Sequence, residues 1–228
     1  MRGIVNEPNL KVLVPFGFIL PPLLYLCYTG EIGSALGLDS YLLFVLLVAM
    51  LVFSVLEIPV FRLKTRKPNY TGGEARLLGE LYSVPVEEEL STGSPSVYNT
   101  KITLNIGGFV LPLLLAFYVV SLAPFLETLS VALIMILSTH FLSRLEAGVG
   151  IIVPSYVVLI SIPFALILAP GNVGSVILVG GVLGILIGMM TLLYPIEEGS
   201  AFLNLGGVGS FEAIYITVLL AVILSFFG

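Results

Sequence analysis

The sequence predicts an all-α polytopic membrane protein of about seven transmembrane helices, with a small cytoplasmic β-hairpin insert. Three observations carry this. The 228 residues are 58% hydrophobic and 10% charged, with a mean hydropathy of +1.14, too little polar surface for a water-soluble domain. The apolar residues fall into runs near the ~20 residues that cross ~30 Å of hydrocarbon. The nine Lys and Arg are confined to a few short segments.

The runs lie at residues 12–29, 40–61, 105–122, 124–143, 149–169, 173–194 and 211–227. The first is broken by Pro15, Pro21 and Pro22, and the fifth holds Pro154 and Pro163. The fourth has Glu127 near its start and His140, Arg144 and Glu146 around its end, as in a short or tilted span. The opening ten residues are mostly polar and the first run is close to full length, so it reads as a retained span and not a cleaved leader. Residues 1–228 then form a single transmembrane domain.

Orientation follows from charge. With the N-terminus cytoplasmic, Arg2, Lys11, Arg62, Lys64, Arg66, Lys67, Arg76, Lys101 and Arg144 all fall on the cytoplasmic side, as the positive-inside bias requires. The predicted location is the cell membrane. The net charge of −5 says little about partners, and nothing points to nucleic acid. Cys27 is the single cysteine, which excludes a disulfide framework and a cysteine-based zinc cluster.

Residues 62–104 are the one sizeable polar segment. Turn punctuation falls at Pro68–Asn69 and Gly72–Gly73 and within 91–95. "ARLLGELYSV" and "VYNTKITL" carry some of the β-branched and aromatic content of short strands, hence the expected hairpin. Its basic start sets topology and also suits anionic headgroups.

Three expected spans begin with glycines: Asn105, Gly107 and Gly108 in "NIGG", Gly148 and Gly150 in "GVG", and Asn204, Gly206, Gly207 and Gly209 in "NLGGVG". A helix start offers unpaired N–H groups and a partial positive charge, and glycine lets a ligand approach them. With Arg144 nearby, these residues are candidates to hold a small polar or anionic species. Close helix packing, with Asn105 and Asn204 as plain N-caps, explains the same residues. Glu212, just inside the last run, is the candidate functional carboxylate, because an ionisable group in a membrane span needs a partner or a wet cavity. Glu57 reads as a partner of Arg62 or as an interfacial charge. Gly180, Gly184 and Gly188 share one helix face at i, i+4 and i+8, a stripe for close helix packing and a candidate homo-oligomer contact.

Absences narrow the chemistry. There is no phosphate-loop motif and no His-Glu-x-x-His pair, and no cofactor is implied. Asp39 is the only aspartate, so an intramembrane diaspartyl protease is not built in the usual way. The reading is a membrane protein that binds or moves a small polar or anionic species at cytoplasmic helix N-termini. The alternatives are a membrane hydrolase relative lacking a full carboxylate pair, and a non-catalytic scaffold.

The stretches "LEIPVFRL", "KITLNIGGFVLPLLLAFY", "AGVGIIVPSYV" and "NLGGVGSFEAIYITVLLAVIL" resemble a multipass membrane family of archaea and bacteria known only as a domain of unknown function. The resemblance runs from about Phe53 to the end. Its most specific pieces are Asn-x-Gly-Gly-x-x-x-Pro at 105–112, Gly-Val-Gly-x-x-x-Pro at 148–154 and Gly-Gly-x-Gly-Ser-Phe at 206–211. It implies a fold of about seven spans and no settled activity. The pattern usually has aspartate at the position of Glu212 and another near Met189–Thr191, where this chain reads "MMT".

Overall fold

The computed structural model describes residues 4–6, 8–29, 36–91, 97–194 and 202–226. It holds the apolar helices α1 (Leu10–Tyr28), α2 (Ser40–Val52), α5 (Leu111–Val119), α6 (Phe125–Leu142), α7 (Val158–Leu168), α8 (Val173–Val176), α9 (Val182–Thr191) and α10 (Phe211–Leu224). A π-helical turn, Ile177–Gly181, joins α8 to α9 into one rod. Three helices are long and apolar enough to cross a membrane: Leu10–Tyr28, Phe125–Leu142 and Val173–Thr191. Four shorter apolar helices accompany them, Ser40–Val55, Ile106–Val119, Ser155–Leu168 and Phe211–Leu224.

The rod Val173–Thr191 is the buried centre. Its glycine stripe faces α6: a Cβ at Gly180 would fall 2.9 Å from the Thr128 carbonyl oxygen, one at Gly184 would overlap the Met135 side chain, and one at Gly188 would fall 2.7 Å from Thr139 Cβ. The stripe is therefore occupied within the chain, bringing two backbones closer than any larger residue permits. Tyr215 of α10 is fully buried, donates its hydroxyl to the Leu47 carbonyl and packs on Phe16 of α1 and Phe211. By contrast α1 buries only Phe16, Leu23 and Cys27, leaving most of an apolar helix uncovered.

The second element departs from the expected span at 40–61. The helix ends in a 3-10 turn at Phe53–Val55, and strand β1 runs Glu57–Arg66. Pro59 is the reason: it lacks an N–H, and the residue before it is pushed toward extended geometry. β1 pairs antiparallel with β2 (Val97–Asn105), so the insert does contain a strand pair. The "ARLLGELYSV" stretch is instead helical, α3 (Gly72–Tyr82), and is followed by α4 (Val86–Ser91). The cause is a capping box: Thr71 and Glu74 bond reciprocally at the start of α3. These helices pack through Ala75, Val84 and Val86 on Val149.

Strand β5 (Phe202–Leu205) adds parallel to β2, completing a sheet of order β1-β2-β5. A second hairpin, β3 (Arg144–Glu146) with β4 (Gly150–Ile152), precedes α7. The expected span at 149–169 therefore begins later. Pro154 stands before the helical turn Ser155–Val157, not inside a helix, Pro112 sits in the first turn of α5, and Pro163 is internal to α7.

Candidate functional site

The sheet brings three sequence-distant glycine stretches together. At the first, Asn105 Oδ1 accepts from Gly108 N at 2.8 Å and Nδ2 donates to the Ser54 carbonyl at 2.5 Å, the N-cap expected of it. A Cβ at Gly107 would overlap the Met50 carbonyl, and one at Gly108 would overlap the Gly206 carbonyl. Gly206 and Gly209 have φ of +78° and +85°, a region glycine enters without strain. The Gly209 carbonyl accepts from Val153 N at 2.8 Å, tying the third stretch to β4.

Two expectations are corrected here. Asn204 is not an N-cap; it lies inside β5, because the chain turns at Gly206 before α10 starts. Gly148 and Gly150 do not open a helix. Gly148 sits in the β3–β4 turn and Gly150 opens β4, with φ of +83° and +130°, and a Cβ at Gly148 would meet Val86 at 2.9 Å.

At the junction sits a carboxylate that sequence reasoning assigned to an interfacial ion pair. Glu57 is 2% exposed. Its Oε2 accepts from Thr103 Oγ1 at 2.6 Å and its Oε1 from Asn204 Nδ2 at 2.8 Å. Hydrogen bonds to a charged acceptor are short and about twice as strong as neutral ones, which offsets the cost of burying the charge. Asn204 is wholly buried, and its Oδ1 has no hydrogen-bond partner. Gly207 is required beside it, since a Cβ there would fall 2.6 Å from Asn204 Nδ2. Pro59 two residues after Glu57 was the signal that this segment is strand, placing Glu57 at its first position.

Glu57 lines a cavity of about 430 Å³. Asn6, Asn9 and Lys11 enter it from the start of α1, Ser54 from the α2–β1 turn, Tyr82 from α3, Ser155 from the turn before α7, and Gly207, Gly209 and Glu212 from the approach to α10. The N-terminal segment is stitched in place by Glu57 N to the Ile4 carbonyl and Asn6 N to the Val55 carbonyl, each at 2.9 Å. Asn9 Oδ1 is a second buried acceptor with no hydrogen-bond partner. Glu212 is exposed at the mouth in the first turn of α10, where the helix dipole favours an anion. Lys11 Nζ donates to the Glu80 carbonyl at 2.7 Å.

Of the candidates, Gly207, Gly209 and Glu212 line the cavity, while Asn204, Asn105, Gly107, Gly108 and Gly206 build the wall behind it. Gly148, Gly150 and Arg144 lie outside the lining. Arg144 pairs with Glu146 at 3.5 Å and bonds Tyr82; that bond first, and the Glu146 carboxylate second, hold its guanidinium proton more tightly than usual. The helix-start N–H groups are largely spent within the chain: Gly108 N on Asn105, and Ser210 N and Phe211 N on the Gly207 carbonyl at 3.0 and 2.8 Å. Among the described residues no His/Cys/Asp/Glu group is placed to hold a metal ion.

The chain belongs to the family described as "Protein of unknown function (DUF1614)", which matches residues 51–224. No curated protein and no solved structure matches it.

Proposed function

We propose that this family member is an integral membrane protein of about seven spans, N-terminus cytoplasmic, whose cavity at the cytoplasmic end binds a small polar solute. Seven apolar helices support the membrane reading. The four shorter ones cross only with help from flanking turns and strands buried in the bundle, a use of irregular backbone that membranes tolerate where it is covered by protein. The observation that carries the binding reading is the charge of one cavity: Glu57 in its wall and Glu212 at its mouth, against Lys11 alone. That balance favours a solute with a cationic group over a plain anion, and so narrows the expectation drawn from helix N-termini. The buried orphan acceptor at Asn9, which lines the cavity, asks for a donor from the same solute or from water.

A second reading rests on the same pair. Two carboxylates on one cavity can divide the roles of general acid and general base, which is the basis of a hydrolase role. Ligand-induced thermal shift on the purified chain, screened with amines, amino acids and carboxylates, tests both. Glu212→Gln preserves size and fold, and is expected to remove the shift given by amines. Wild-type shifts in both Glu212→Gln and Glu212→Ala would refute a role for this cavity in binding. Turnover of a hit by wild type, and not by Glu57→Gln, would favour the second reading.

A further inference from the structure

Four cations share one face of the β1–β2 ribbon. Arg62, Lys64 and Arg66 alternate along β1, and successive strand residues point to opposite sides. Arg62 stands directly across from Lys101 on β2. Like charges directly opposed across strands are destabilising. Among the described residues none of the four is paired with an acidic side chain; Lys101 Nζ rests over the Phe202 ring, 4.9 Å from its centroid. The other described cations are treated differently. Lys11 and Lys67 donate to the carbonyls of Glu80 and Leu90, Arg76 pairs with Glu80 and Arg144 with Glu146.

A hollow of about 200 Å³ opens between Arg62 and Lys101, with Thr103 and Phe202 in its lining. Glu57 lines it too, but that carboxylate is buried and its two oxygens are held by Thr103 and Asn204. Two cations against that one carboxylate leave the hollow net positive. Helix α3, which follows β1 in the chain, exposes Leu77 and Leu81, 66% and 60% accessible and one turn apart on one side. It is fastened to the start of the apolar α1 by the bond from Lys11 to the Glu80 carbonyl. Exposed leucines on a helix fastened to the start of an uncovered apolar helix, and a strand face of cations without acidic partners among the described residues, are the composition of an element that lies on a bilayer surface.

We propose that the Arg62–Lys101 face binds the phosphate headgroups of anionic phospholipids and seats the ribbon on the cytoplasmic leaflet. This rests on the membrane reading above and is independent of what the larger cavity binds.

The test uses the full chain in neutral detergent, titrated with short-chain phosphatidylglycerol or phosphatidylcholine and followed by thermal shift. Wild type is expected to prefer phosphatidylglycerol, less so at high salt. R62Q/K101Q should weaken that binding roughly ten- to thirty-fold, at the scale of basic side chains near an anionic surface. K64Q/R66Q, at exposed positions that carry no buried contact, should weaken it as well, and R76Q should not. An unchanged phosphatidylglycerol affinity in both double variants would overturn the proposal. An equal shift from inorganic phosphate alone would assign the hollow to free phosphate and overturn the lipid. Release of the chain from membranes by an alkaline wash would instead sink the membrane reading, whatever the titration shows.

Discussion

Asn204→Asp places a second carboxylate where an amide now donates to Glu57 across 2.8 Å. The donor is lost, and two like charges at that distance repel by about 6 kcal/mol at an effective dielectric of about 20. Taking up one proton is the less costly response. For a carboxyl of ordinary acidity it costs about 4 kcal/mol at pH 7, and the resulting O–H restores a donor to the shared bond. Proton uptake therefore sets the penalty: about 4 kcal/mol at pH 7, shrinking by about 1.4 kcal/mol for each unit of acidification. The sign follows from the pair holding its proton in the folded chain to higher pH than either group does unfolded. Its contribution is intact in acid, below the unfolded carboxyl range, and is lost as pH rises. Thermal unfolding in detergent from about pH 4.5 to about pH 8 should show a gap to wild type that narrows toward acid. Against a typical total of about 5–15 kcal/mol, the gap at neutral pH is large. A gap that is absent, or independent of pH, would refute the Glu57–Asn204 contact.

Glu57→Gln should cost less, under about 1.5 kcal/mol, because Asn204 can turn its orphan Oδ1 to accept from the new amide; a collapse in expression would contradict this. Gly108→Ala forces a methyl into the Gly206 carbonyl and should destabilise by about 3 kcal/mol or more, whereas Gly17→Ala, with nothing within 4 Å, should stabilise α1 by about 0.5–1 kcal/mol; equal melting temperatures for the two would sink the close approach. Thr71→Ala removes the cap of α3 at a cost of about 1 kcal/mol. Glu74, whose carboxyl is held below its usual range by the Thr71 backbone and hydroxyl, contributes stability above the unfolded carboxyl range that is lost as pH falls through its folded value, and the variant should flatten that acid limb of the unfolding curve. Cysteine at Arg76, on the polar side of α3, should react with an impermeant maleimide from the cytoplasmic face alone; labelling from outside would invert the topology.

Hydrophobic runs located the apolar helices, since run length and composition are local properties, but the second run overshoots its helix end and the fifth starts well ahead of its helix. Ends were legible only where a local signal existed. Asn105 read correctly as a cap because the three residues after it complete the motif. Span two was read too long because apolarity alone cannot tell a buried strand from a helix, although Pro59 marked the boundary. Gly148 and Gly150 read as a helix entrance, whereas one sits in a hairpin turn and the other opens its second strand, a distinction set by the pairing of Arg144 with Ile152 and of Glu146 with Gly150. The site was partly legible. Glu212, Gly207 and Gly209 line the cavity, but Glu57 reads as a partner of Arg62 or an interfacial charge because sequence shows neighbours four or five residues off and hides one 147 residues away. In α3 the capping box from Thr71 to Glu74 overrides the strand-like content of the residues that follow, a signal carried by two side chains amid turn residues.

That separation has a consequence for the order in which the chain can be built. β1 and β2 meet early, but β5 joins β2 only after the helices from α5 to α9 have been synthesised. Until then Glu57 has Thr103 and lacks Asn204, and the wall of the cavity is open. Long-range parallel pairing of this kind forms late, because its loop must close before the contact returns any free energy. A ribosome-bound intermediate ending before residue 202 would thus carry a half-satisfied carboxylate, and truncation there should be a point at which quality-control proteases can distinguish an unfinished molecule from a finished one.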